Sequence, residues 1–126
     1  MSERMQSAGM PEYNNKVREL FNHLNHSGAL ESGPDVLSAS AGAVEQGASI
    51  TIWLAVQEGK VRTVRYQAYG CPHFLASCEY LAQCLEGRPF AELTQWNWRD
   101  TEMNLAVPAS KRARLLILEE ALRMLK

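Results

Sequence analysis

Apolar positions recur along the chain with two periods, and the change of period divides it. Tyr13, Val17, Leu20, Phe21 and Leu24 fall at i, i+4, i+7, i+8 and i+11, which predicts a helix over residues 13–24. Asn25-His26-Ser27-Gly28 then reads as a helix stop and turn. Residues 31–49 are mostly small, with three glycines and one proline. They predict a loop over 32–35 and then a strand or loop of small residues through Ala48. Ile50, Ile52, Leu54 and Val56 alternate, and so do Val64, Tyr66 and Ala68 after Val61. With the short turn Gln57-Glu58-Gly59-Lys60 between them, these two runs predict a hairpin. A third strand from the small-residue region completes a minimal sheet.

From Pro72 the period becomes 3.6. Phe74, Leu75, Cys78, Leu81, Ala82 and Leu85 share one helical face, Pro72 suits the first turn and Gly87 closes the helix. A short helix is expected from Arg88-Pro89 through Leu93, and a tryptophan-containing turn over 95–100. A last helix over 109–125 buries Leu115, Leu118, Ala121, Leu122 and Leu125. Helix, then strands, then helices is an α+β order.

The composition narrows the function classes. The chain has 126 residues, 46% of them hydrophobic, enough for one domain with a real core. Lys plus Arg is 13 and Asp plus Glu is 14, so no net charge draws it to nucleic acid or to an anionic membrane. No run approaches the roughly 20 apolar residues of a membrane span. Residues 1–11 read as a loose polar arm without the apolar core of a signal peptide, and a cytoplasmic, reducing location is expected. The cysteines are three, Cys71, Cys78 and Cys84, an odd count that argues against a disulfide scaffold. No phosphate-cradling glycine loop and no paired catalytic carboxylates are present.

Cys71 is the informative cysteine. In Tyr69-Gly70-Cys71-Pro72-His73 a strand ends, the chain turns, and the thiol arrives at a helix N-terminus, where N–H groups and the helix dipole favour a thiolate. That suits metal ligation or nucleophilic sulfur chemistry. A small residue at a tight junction is the plain alternative. His73, in the first helical turn, can reach the same site as ligand or proton donor, or it is an exposed or capping residue. Cys78 belongs to the apolar face, and Cys84 sits at its edge. His23 and His26 suit a helix end, where imidazolium complements the dipole. Trp96 and Trp98 read as loop packing. Lys111-Arg112-Ala113-Arg114 opens the last helix as a basic cluster, which asks for a nearby carboxylate or anion.

Four stretches, in order, resemble the U-type iron–sulfur cluster scaffold family, the NifU N-terminal or IscU-like domain. They are YNNKVRELFNHLNHSGAL, then RYQAYGC against the family's R-F-x-x-Y-G-C, then ASCEYLAQCLEGRPF, and then LAVPASK against L-x-L-P-P-V-K. The resemblance implies one domain over 12–126, with a three-stranded antiparallel sheet packed by about four to five helices. It implies a scaffold-like protein of iron–sulfur cluster assembly rather than an enzyme. Its partners would be a cysteine desulfurase and, at residues 107–111, a chaperone. It implies an iron–sulfur cluster, iron or zinc as cargo, or persulfide sulfur accepted on Cys71.

The family's ligands carry over at one position only. Cys71 matches the middle of three family cysteines. The first falls on Ala43-Val44-Glu45-Gln46-Gly47 and the third, in His-Cys, on Ala113-Arg114. The remaining candidates beside Cys71 are His73 as a cofactor-binding group and Glu45 as a metal ligand. Arg114 shares a face with Leu118, Ala121 and Leu125. It is expected to point toward Cys71, favour its thiolate and pair with Glu45. Two readings therefore stand side by side: a Cys71-based scaffold or sulfur acceptor, and a metal-free module that docks a desulfurase or chaperone.

Overall fold

The computed structural model describes residues 13–125, so the arm read at 1–11 lies outside the described residues. Helix α1, Asn15–Asn22, opens with Asn14, whose side chain accepts a hydrogen bond from the Val17 N–H at 2.8 Å. It buries Val17 and Leu20 and ends earlier than the apolar spacing predicts. The region of small residues forms a strand, β1, Val36–Ala43, and a single 3-10 turn, Val44–Gln46, joins it to β2, Ala48–Gln57. The predicted hairpin is present, with β3 over Lys60–Tyr69. Its two-residue turn, Glu58-Gly59, takes positive φ at both positions (54° and 76°), the arrangement that matches the strands' twist.

The sheet is antiparallel in the order β1-β2-β3. Its alternation sets Ile50, Ile52 and Leu54 of β2 and Val61, Val64 and Tyr66 of β3 into the core. Helix α2, Pro72–Leu85, packs over β3 and against α1. Helix α4, Arg112–Leu125, packs over β1 and β2. Between them run a 3-10 segment, Phe90–Gln95, and helix α3, Trp98–Asn104. The turn expected over 95–100 is thus half helix: Asn97 caps it, accepting from the Arg99 N–H at 2.8 Å. A 3-10 turn, Ala109–Lys111, precedes α4.

The outer edge of β3 is covered by the chain itself. Ser27 bridges Tyr66 in parallel, with Gly28 N–H donating to Tyr66 O and Tyr66 N–H to His26 O. At the other end, Val61 N–H donates to Arg88 O and Phe90 N–H to Gly59 O.

Candidate functional site

The last pair of the β2–β3 ladder is Ser49–Tyr69. Gly47 and Cys71 each stand two residues beyond it, on adjacent strands, so the β1–β2 turn and the start of α2 share one end of the sheet. Gly70 is required there by close packing. A Cβ on it would lie 2.7 Å from Cδ2 of Phe74, a fully buried ring. Cys71 is the N-cap residue of α2, in extended conformation, followed by Pro72 in the first turn. Its carbonyl accepts from the Leu75 N–H at 3.0 Å, and its thiol is half-buried.

His73 is buried, 1% exposed, which corrects the exposed or capping alternative. Its Nδ1 lies 3.2 Å from Lys111 Nζ, and its ring meets Tyr13 edge-on at 4.3 Å between centroids. Lys111 Nζ also stands 5.5 Å over the Tyr13 ring. The basic cluster is therefore dispersed into separate contacts. Arg112 pairs with Glu102 at 2.6 Å and lies over Trp98, whose ring also carries the Arg99 guanidinium at 4.6 Å. Arg114 reaches the β1–β2 turn but does not pair with Glu45. Its guanidinium covers Gly47, with Nη2 2.9 Å from where a Cβ would stand, and Glu45 is exposed. Gly47 has φ +85° and no side chain, which opens that space.

These groups decide the fit to a metal or cluster. Among the described residues no group of three or more His, Cys, Asp or Glu side chains is placed to hold a metal ion. What gathers around this end of the sheet is one thiol, one buried imidazole engaged with Lys111, and the guanidinium of Arg114. A [2Fe–2S] cluster ordinarily takes four protein ligands and a structural zinc site the same number. The donor set of one chain does not fit either.

The other cysteines are plain. Cys78 is buried under α2, and burial, with Glu79 beside it, pushes its thiol well up. Cys84 lines a cavity of about 180 Å³ with Arg88, Trp96 and Asp100, and burial raises its thiol as well.

A second cluster escapes the sequence reading. Glu79 is fully buried on α2, yet it accepts from the backbone N–H of His26 (3.0 Å), from Tyr66 OH (3.0 Å) and from Gln83 Nε2 (3.2 Å). Both ring nitrogens of His26 face carboxylate oxygens, Nδ1 at 2.5 Å from Glu79 and Nε2 at 3.1 Å from Glu86. Only imidazolium donates from both. Burial works against that charge, but the hydrogen bonds and charges of Glu86 and Glu79 outweigh it and raise the His26 pKa. For Glu86, burial is outweighed by His26, by the Val64 N–H and by Arg65, and its pKa is lowered. Burial, then the charge of Glu79, pushes the Tyr66 hydroxyl far up. His26 is thus no helix-end group; His23 is, with Nδ1 3.0 Å from Glu19 O. The signal in the sequence is Glu79 itself, the one carboxylate of α2, one position after Cys78 of its apolar face.

Comparison with known proteins agrees with this architecture. The chain is 23% identical over 112 residues to the iron–sulfur cluster assembly protein IscU of Plasmodium falciparum, covering 88% of this chain and 69% of that protein. A structure described as an iron–sulfur cluster assembly scaffold protein for the SUF system, from Fervidobacterium islandicum, superposes with a TM-score of 0.70 at 13% identity, over 90% of this chain and 95% of that one. The N-terminal part of a NifU-like protein from Brucella abortus gives 0.57 at 21% identity, over 88% and 78%. The NifU-like N terminal domain profile matches residues 12–124. The chain belongs to the NifU-like N-terminal domain family.

Proposed function

We propose that this chain takes part in iron–sulfur cluster assembly by accepting persulfide sulfur on Cys71 from a cysteine desulfurase. The observation that carries the reading is the placement of Cys71. It is a half-buried thiol at the first turn of α2, on the family's Tyr-Gly-Cys junction. The Cys71 thiolate attacks the outer sulfur of the desulfurase persulfide. The old sulfur–sulfur bond breaks, a new one forms at Cys71, and the desulfurase cysteine leaves as thiolate and takes up the proton Cys71 released. No external oxidant or reductant is needed. A reducing compartment such as the cytoplasm keeps the thiol available.

The donor set favours a second reading, a metal-free module that docks the desulfurase. Arg114 falls where the resemblance puts a family cysteine, and its guanidinium covers Gly47. Residues 107–111 remain the candidate chaperone segment. Val107 is nearly buried and Lys111 is folded onto His73, so a chaperone taking this segment in extended form must lift Lys111 away.

The test is to purify the chain anaerobically, measure iron, sulfide and zinc per chain, and incubate it with a desulfurase and cysteine. The expected result is a mass gain of one sulfur atom that disappears in Cys71→Ser. Desulfurase binding without any sulfur on Cys71 leaves the docking module.

A further inference from the structure

Among the described residues, nothing pairs with the outer edge of β1. The sheet stops there, no isolated bridge touches it, and residues 37–43 make no backbone hydrogen bond away from β2. Proteins usually blunt such an edge with charge, proline or a bulge. β1, VLSASAGA, has no charged residue and no proline, and its register against β2 is unbroken. We infer that β1 pairs antiparallel with β1 of a second copy of this chain, about a two-fold axis through Ala39, joining two three-stranded sheets into one.

Two observations choose a second copy as the occupant. The strand is complementary to itself about Ala39. Ser38 then stands opposite Ser40 of the other copy, and Leu37 opposite Ala41. Directly opposed residues share a face. The buried Ala39 and Ala41 thus stay on the helix side in both copies, and the exposed serines stay on the open side.

The second observation is the flank of α4. One flank is met by the chain itself, where Glu119 and Leu122 line a cavity with Thr94 and Trp96, and Arg123 borders both this cavity and the opposite flank. The other lies on the β1 side, with Ile117 Cγ2 3.1 Å from where a Cβ on Gly42 would stand. It forms an open groove of about 410 Å³ that includes Arg114, Leu116, Ile117, Glu120 and Arg123. Leu116 is 43% exposed there. Arg114, Glu120 and Arg123 make no ion pair among the described residues. A two-fold axis normal to the sheet sets the two α4 helices antiparallel across the seam, with the flank that carries Leu116, Glu120 and Arg123 of one copy against the same flank of the other. Charges without an ion-pair partner among the described residues are complementary between two copies. β3, which leads into Cys71, is the opposite edge of the sheet, already covered by the chain itself, and takes no part in the seam.

Sedimentation velocity on the full chain over a concentration series tests this. The expected result is a dimer that dissociates on dilution, with the 37–41 amides gaining exchange protection as concentration rises. Ser38→Lys with Ser40→Lys sets like charges opposite each other twice and weakens the dimer by about tenfold or more. Ser38→Lys with Ser40→Glu sets opposite charges there and restores it. Glu120→Arg weakens it as well, and Cys71→Ser leaves it unchanged. Circular dichroism of each variant confirms that it is folded. A monomer at every concentration overturns the inference. So does a dimer that the paired lysines leave unmoved, or that both serine double variants weaken alike.

Discussion

A methyl group at Gly70 has no room, because Phe74 already fills the space above it. Gly70→Ala is expected to cost about 1–3 kcal/mol, read as a lower thermal midpoint, and to displace the start of α2 and Cys71 with it. Glu79 is the second residue on which much depends. Tyr66 stands where the resembling family has phenylalanine, and its hydroxyl serves Glu79. Tyr66→Phe leaves that carboxylate one donor short and is expected to cost about 1 kcal/mol in a urea titration. Glu79→Gln removes the charge that His26 answers to, and NMR titration should find the His26 pKa falling toward 6.5. The cluster also gives stability a pH window. The folded pKa of His26 is raised, so its contribution is complete below 6.5 and lost as pH rises through the folded value. The folded pKa of Glu86 is lowered, so its contribution is present above 4.5 and lost as pH falls through the folded value. Urea midpoints should therefore be highest between these limits, and His26→Ala should flatten the alkaline limb. Cys71 and Cys78 were legible in the sequence because each sits on an unambiguous local pattern. Glu79 was not, because its partners His26 and Tyr66 come from distant segments.

At the scale of elements, periodicity succeeded where side chains are large. The hairpin and the two long helices follow from alternating Ile, Val and Leu and from leucines at helical spacing. β1 stayed ambiguous because alanine, serine and glycine carry little strand preference. Its pairing with the strongly patterned β2 decides its conformation. The start of α3 reads as a turn in sequence because Trp98 and the polar residues after it show no apolar stripe. Its signal was the cap, Asn97. Asn97→Ala is expected to lower stability by about 1 kcal/mol, with helix content falling in proportion to one short helix. α1 stops short of Leu24 because the cap residue His23 leaves helical geometry, its N–H bonding Leu20 O.

Across the whole molecule, the helices cover one face of the sheet, and three separate segments converge at the end where β3 leads into α2. The tie between the β1–β2 turn and α4 is a guanidinium over a glycine rather than an ion pair. Periodicity aligns Arg114 with Leu118, Ala121 and Leu125, and charge suggests Glu45 as its partner, but the guanidinium lies over Gly47 instead. The positive φ of Gly47, which no charge pattern reveals, opens the space it fills. Gly47→Ala meets both a strained backbone and Arg114, whereas Gly47→Ala with Arg114→Ala meets only the backbone strain. A double-mutant cycle should show the second substitution recovering part of the loss, with a coupling of about 0.5–3 kcal/mol. The burial of Cys78 has a consequence of another kind. Its sulfur is reachable only when α2 parts from the sheet. Alkylation of that one thiol, followed peptide by peptide against added denaturant, therefore acts as a clock for opening of the core, with the fully denatured chain giving the reagent's intrinsic rate.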